Sequence, residues 1–102
     1  MDIKYSVTKG NLYIYLSGEL DEFSARIGKD RLDGIIDGNI NAQNVVFNLS
    51  KLTFMDSTGI GILLGRYRKL KKTGTPSFIQ SPSVSVNKVL QISGLYKVMP
   101  KI

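Results

Sequence analysis

Phe54-Met55-Asp56-Ser57-Thr58-Gly59-Ile60-Gly61-Ile62-Leu63-Leu64-Gly65-Arg66-Tyr67 joins an apolar segment to a helix through a small polar corner. Downstream, Ile60, Leu63, Leu64, Tyr67 and Leu70 recur at three- and four-residue spacing. That spacing predicts one apolar helical face, with Arg66, Arg68, Lys69, Lys71 and Lys72 largely off it. Asp56, Ser57 and Thr58 are residue types that cap a helix start, and Gly74 followed by Pro76 marks its end. Upstream, Asn44-Val45-Val46-Phe47-Asn48-Leu49 is a short, partly β-branched apolar run between polar residues, the pattern of a buried strand.

Outward from this unit the chain keeps alternating. Ile3 to Val7 and Leu12 to Leu16 read as two strands of a hairpin, with Lys9-Gly10-Asn11 as turn chemistry. An acidic loop is expected from Ser17 to Phe23, carrying Glu19, Asp21 and Glu22. Ser24 can cap a first helix reaching about Asp37, with Ile27, Leu32, Ile35 and Ile36 roughly on one side. Gly28 and Gly34 weaken that helix by about 1 kcal/mol each relative to alanine, so it must lean on tertiary packing. Pro76 to Gln80 predicts a short strand, Ser81-Pro82 opens a helix bearing Val86, Val89, Leu90 and Ile92, and Gly94 ends it. Lys97 to Met99 reads as a last strand. The order β-β-α-β-α-β-α-β predicts an α/β fold, a mostly parallel mixed sheet of about five strands with helices mainly on one face.

Composition narrows the chemistry. The 102 residues suit a single domain, and 42% hydrophobic with 22% charged residues is ordinary for a soluble globular protein. No apolar run approaches the roughly 18 residues of a membrane span, and Met1-Asp2-Ile3-Lys4 is not a signal-peptide start, so a cytoplasmic site without membrane attachment is expected. The chain has no cysteine and no histidine, which removes disulfides, thiolate nucleophiles, imidazole bases and most transition-metal sites. Asp21 with Asp56, or Glu19 with Glu22, could form a carboxylate pair, but nothing in the pattern separates their ionisation. No catalytic residue, metal or cofactor is expected. The net charge of +6 admits an anionic partner. The cations cluster between Arg66 and Lys72 without an aromatic platform beside them, so nucleic acid is not the expected partner.

The polar corner has two readings. A helix start leaves backbone N–H groups unpaired and carries roughly half a positive charge, so Asp56, Ser57 and Thr58 can serve simply as caps. The same features would stabilise a phosphate on Ser57, adding about −1.5 to −2 charges and three acceptor oxygens at one point. Such a group would be tolerated by the fold and not by a partner docked over it; a loss of about 3 kcal/mol weakens binding more than a hundredfold.

Asp56-Ser57-Thr58-Gly59-Ile60-Gly61, followed by Leu63-Leu64-Gly65-Arg66-Tyr67, resembles the signature of STAS domains, specifically the anti-sigma factor antagonists. Leu16-Ser17-Gly18-Glu19-Leu20-Asp21 and Ile92-Ser93-Gly94-Leu95-Tyr96-Lys97-Val98 are similar to two further blocks of that family, in the same order. Among its members the resemblance is nearest to antagonists of the sporulation anti-sigma F factor. It implies that Ser57 is phosphorylated by an anti-sigma factor that is also a serine kinase, using ATP, and restored by a PP2C-type phosphatase. The unphosphorylated form would bind the kinase and free the sigma factor. The resemblance also implies a partner surface built from Asp21, Asp56, Ser57, Thr58, Gly59, Gly61 and Arg66, on a monomer. Family members usually carry a further helix after the last strand, which this sequence does not include. The competing expectation is a STAS module that does not switch and binds a nucleotide, a small anion or a signalling scaffold; against a nucleotide, no Gly-rich phosphate loop ending in Lys-Ser/Thr is present.

Overall fold

A computed structural model describes residues 1–102. Strands β1 (Asp2–Thr8) and β2 (Asn11–Leu20) form the expected hairpin, followed by α1 (Ala25–Asp37), β3 (Asn44–Met55), α2 (Ser57–Lys71), β4 (Ser77–Gln80), α3 (Val84–Ser93) and a single 3-10 turn at Leu95–Lys97. The sheet order is β1-β2-β3-β4, with β1 antiparallel to β2 and the other pairs parallel. Two successive crossovers, β2-α1-β3 and β3-α2-β4, step the same way across the sheet. Right-handed connections therefore put α1 and α2 on the same face.

That face holds the core. Leu12, Ile14 and Leu16 of β2, Val45, Phe47 and Leu49 of β3, and Ile79 of β4 are buried beneath Leu32 and Ile36 of α1, Leu63 and Leu70 of α2, and Val86 and Leu90 of α3. The opposite face carries Lys4, the stacked pair Tyr13 and Tyr15, and an amide contact from Asn48 Nδ2 to Gln80 Oε1 at 2.8 Å. No helix of the chain is long and apolar enough to cross a membrane.

Three expectations are corrected. The sheet has four strands, not about five: Leu95–Lys97 forms the 3-10 turn, the Leu95 carbonyl accepting from Val98 N and Met99 N, and beyond it only Lys101 forms a bridge, parallel to Ile79. A short apolar run satisfies a tight turn as readily as a strand once Gly94 has set the chain in the left-handed conformation (φ 77°). The acidic segment begins later than Ser17, because β2 continues to Leu20 through register shifts between Tyr15 and Ser17 and between Gly18 and Glu19. Those irregularities erase the period-two pattern from which a strand is read. Ile27 and Ile92 point outward, although Leu32 and Ile36 of α1 and Val86 and Leu90 of α3 are buried.

Arg66 is the largest departure. It is 7% exposed and lies between α1 and α2, its Nε 2.9 Å from Asp33 Oδ1. The atoms are poorly aligned for a hydrogen bond, so the link is chiefly ionic. One turn along, Lys69 Nζ meets Asp37 Oδ1 at 2.9 Å, and this hydrogen bond holds the Lys69 amine above its ordinary range. The deeper of these pairs should carry the mechanical load. Replacing Asp33 with alanine strands the Arg66 cation in a site that water barely reaches, and urea unfolding is expected to show a loss of about 2 to 3 kcal/mol. Arg66→Met, which removes the buried charge and keeps much of the volume, should cost less; equal losses would show that volume and not charge is what counts at this position.

Candidate functional site

The β2–β3 register brings the predicted residues to one place. Leu20 pairs with Met55, the last residues of two parallel neighbouring strands. The next residue on each chain, Asp21 and Asp56, therefore emerges at the same sheet edge, and α1 and α2 both start there. Carboxyl ends of parallel strands, with helix N-termini above them, are where α/β sheets present ligand and partner sites.

Asp56 is the N-cap of α2. Its extended backbone and its Oδ1, accepting from Gly59 N at 3.1 Å, satisfy one orphan donor of the first turn. Ser57 follows as the first helical residue and is exposed. The backbone N–H groups of Ser57 and Thr58 have no carbonyl one turn back within the helix, so they face the open edge. Thr58 is half-buried beside them.

Asp21 ties down the other loop. Its Oδ1 accepts from Phe23 N and Ser24 N, both at 3.0 Å, so the carboxylate organises the entry to α1. Ser24 is the N-cap by position, yet its hydroxyl does not cap: it accepts from Asp21 N and lies 3.0 Å from Glu19 O, folding the loop on itself. Glu19 and Glu22 are exposed on either side.

Gly59 and Gly61, two residues apart, do opposite jobs. A Cβ at Gly59 would stand 2.6 Å from Met55 Cγ and 2.7 Å from the Leu20 carbonyl oxygen, so the absent side chain is what lets α2 start directly against the ends of both strands. Gly59 is buried, and its expected place on the partner surface is corrected to a packing role. Gly61 is exposed and Gly65, a turn further on, is half-buried; neither has anything within 4 Å of where a Cβ would be, so close packing within the domain does not require glycine at either position. Arg66, also expected on the partner surface, is turned inward onto Asp33.

The edge thus gathers Asp21, Asp56, Ser57 and Thr58, with Gly61 open one turn into α2. It leaves out Gly59 and Arg66, and adds Phe23, which no motif singles out. The only signal for Phe23 is an aromatic residue in the otherwise polar stretch Asp21-Glu22-Phe23-Ser24.

The family profile described as "STAS domain" matches residues 2–102. The chain is 33% identical over 100 residues to an anti-sigma F factor antagonist of Paenibacillus polymyxa, covering 98% of this chain and 85% of that protein. Among solved structures it is similar to the anti-sigma factor antagonist SpoIIAA in its unphosphorylated form, with a TM-score of 0.80 and 31% identity over 99% of this chain and 88% of that one. It is also similar to the Bacillus cell fate determinant SpoIIAA in the phosphorylated form, at TM-score 0.72 and 30% identity, covering 99% and 91%.

The glycine geometry has a direct test in stability. Gly59→Ala is expected to lose about 1 to 3 kcal/mol in denaturant unfolding, the range for overpacking against atoms that cannot retreat. Gly61→Ala is expected to gain up to about 1 kcal/mol from helix propensity alone. Similar changes at both positions would contradict this division of labour.

Proposed function

The chain belongs to the STAS domain family, and we propose that it acts in that family as an anti-sigma factor antagonist switched by phosphorylation of Ser57. The antagonist role has support in the relatives that it resembles along nearly its whole length. The switch is carried by one observation: Ser57 is exposed, immediately after the capping Asp56, at a helix start whose first two N–H groups are unspent. That a similar protein occurs in unphosphorylated and phosphorylated forms adds weight to the reading.

The docking surface is the sheet edge formed by Asp21, Asp56, Ser57 and Thr58, extended along α2 by Gly61, where a partner backbone can approach closely. The partner is an anti-sigma factor with serine kinase activity. With ATP bound, it brings the γ-phosphate in line with Ser57 Oγ; the hydroxyl gives its proton to a base on the kinase, the Oγ–P bond forms as the bond from the γ-phosphorus to the β,γ-bridging oxygen breaks, and ADP leaves carrying that oxygen. Before transfer, the bound antagonist displaces the sigma factor. After transfer, the phosphoserine faces the β-phosphate of ADP, and such like-charge juxtaposition costs several kcal/mol in a closed interface. The fold itself bears the modification easily, because the Ser57 and Thr58 amides and the helix dipole favour an anion there. A PP2C-type phosphatase reaches the exposed phosphoester and resets the cycle. The similarity to anti-sigma F factor antagonists favours a sporulation pathway.

Incubation of the protein with the anti-sigma kinase from the same genome and ATP should add one phosphate, located at Ser57 by mass spectrometry. Ser57→Ala should take up none while still binding. Ser57→Asp should bind more than a hundredfold more weakly, the equivalent of about 3 kcal/mol, with an unchanged circular dichroism spectrum. Stoichiometric transfer to Ser57→Ala would move the switch elsewhere, Thr58 being the adjacent hydroxyl.

A further inference from the structure

Phe23 is 87% exposed, and the local structure explains why. With Ser24 as the N-cap of α1, Phe23 holds the position whose apolar side chain ordinarily packs on the residue four places beyond the cap. That residue is Gly28. It is buried, and the space its side chain would need is filled by Met1, whose Cε lies 2.6 Å from an ideal Cβ. The pairing is missing its second half, so Phe23 projects from the edge with no partner of its own. Ile27, four residues on and 69% exposed, stands on the same side of the helix entrance. Both line an open groove of about 380 Å³, together with Glu19, Asp21 and Arg31.

The charge around this apolar pair is distinctive. Segments 19–27 and 56–64, which make the edge, hold the carboxylates of Glu19, Asp21, Glu22 and Asp56 against one cation, Arg26, in a chain whose net charge is +6. Arg31 and Met1 also line the groove, and Arg31 keeps its charge while donating through Nη2 to the Ile3 carbonyl at 3.0 Å, so the excess of carboxylates belongs to the edge as a whole and not to the groove alone. An apolar projection on an edge with an excess of carboxylates fits an apolar pocket with cations at its mouth. A second copy of this basic chain would bring the same acidic rim against itself, which disfavours self-association through this edge.

We propose that Phe23 and Ile27 are the affinity anchor of the docking edge, received by an apolar pocket on the anti-sigma factor whose mouth carries lysine or arginine side chains. The inference rests on the docking role proposed above and assigns it a source of binding energy. Ser57, Thr58 and Gly61 are small and polar and bury little apolar area; they carry the switch. The energy that holds two proteins together comes from a few large, desolvated side chains, aromatic ones above all.

Calorimetric titration against the anti-sigma factor of the same genome, with ADP bound, separates the outcomes. Phe23→Ser is expected to weaken binding by about 10- to 100-fold and Phe23→Leu by only about threefold, following the apolar area each retains. Ile92→Ser, an equally exposed residue at the far end of α3, should bind like the wild type. Phe23→Ser with wild-type affinity would overturn the anchor and leave the docking role intact. A wild-type protein that does not bind at all would overturn the docking role, and the anchor with it. Should sedimentation show that the wild type is a dimer and Phe23→Ser a monomer, the pair serves self-association and the proposal fails.

Discussion

The parallel pairing of β2 with β3 is the constraint on which the rest of the structure depends. Because Leu20 and Met55 end in register, the loops that follow them leave the sheet side by side. Gly59 then allows α2 to begin against the Leu20 carbonyl and the Met55 side chain with no intervening turn. A slip of β2 by one residue against β3 would reverse its faces, bury Tyr13 and Tyr15 in place of Leu12, Ile14 and Leu16, and move Asp21 relative to Ser57. The core and the candidate site are therefore fixed by the same hydrogen-bond ladder.

Above that ladder, α1 and α2 are held together by charges as well as apolar contacts. Arg66 with Asp33, and Lys69 with Asp37, join the two helices toward the ends remote from the candidate site. The signature stretch thus serves two purposes residue by residue. Met55, Gly59, Leu63, Arg66 and Leu70 face inward and fix the position of α2, while Ser57 and Gly61 face out. A surface built on one side of a clamped helix presents its hydroxyl in a fixed geometry, which is what transfer of a phosphoryl group requires.

Much of this was legible in the sequence where the determining forces are local. The buried run at Asn44 to Leu49, the helix cap at Asp56 to Thr58 and the helix end at Gly94 each rest on a few adjacent residues, and the structure has all three, although the strand runs on past Leu49 to Met55. The family signature supplied what local pattern could not, namely which of several hydroxyls to consider. The burial of Arg66 is not legible in the sequence because its partner, Asp33, is brought to it only by the packing of two helices; a cation among cations on a polar stretch gives no sign that one of them is buried. The expected fifth strand, Lys97 to Met99, differs for another reason, since two apolar residues are too few to distinguish a strand from a turn. Phe23 was invisible because the reason for its exposure is the Met1 side chain lying across Gly28, a contact made by residues at opposite ends of the β1-β2-α1 unit.

The placement of Ser57 also resolves an apparent conflict in the electrostatics. An acidic edge suits a basic partner, and a phosphate would make the edge more acidic, so a simple attraction of opposite charges would strengthen binding on modification. The helix start prevents this from being the whole balance. On the proposed switch, a phosphate on Ser57 would be solvated by the Ser57 and Thr58 amides, which would favour its doubly charged form. That charge would then confront the diphosphate of the nucleotide that donated it, inside the closed interface. There the repulsion would act across a short distance in a low dielectric, whereas attraction to a basic rim would act at the periphery and be screened by solvent. Short-range repulsion at the centre would then outweigh long-range attraction at the margin, so the proposed switch is compatible with an acidic edge and a basic partner.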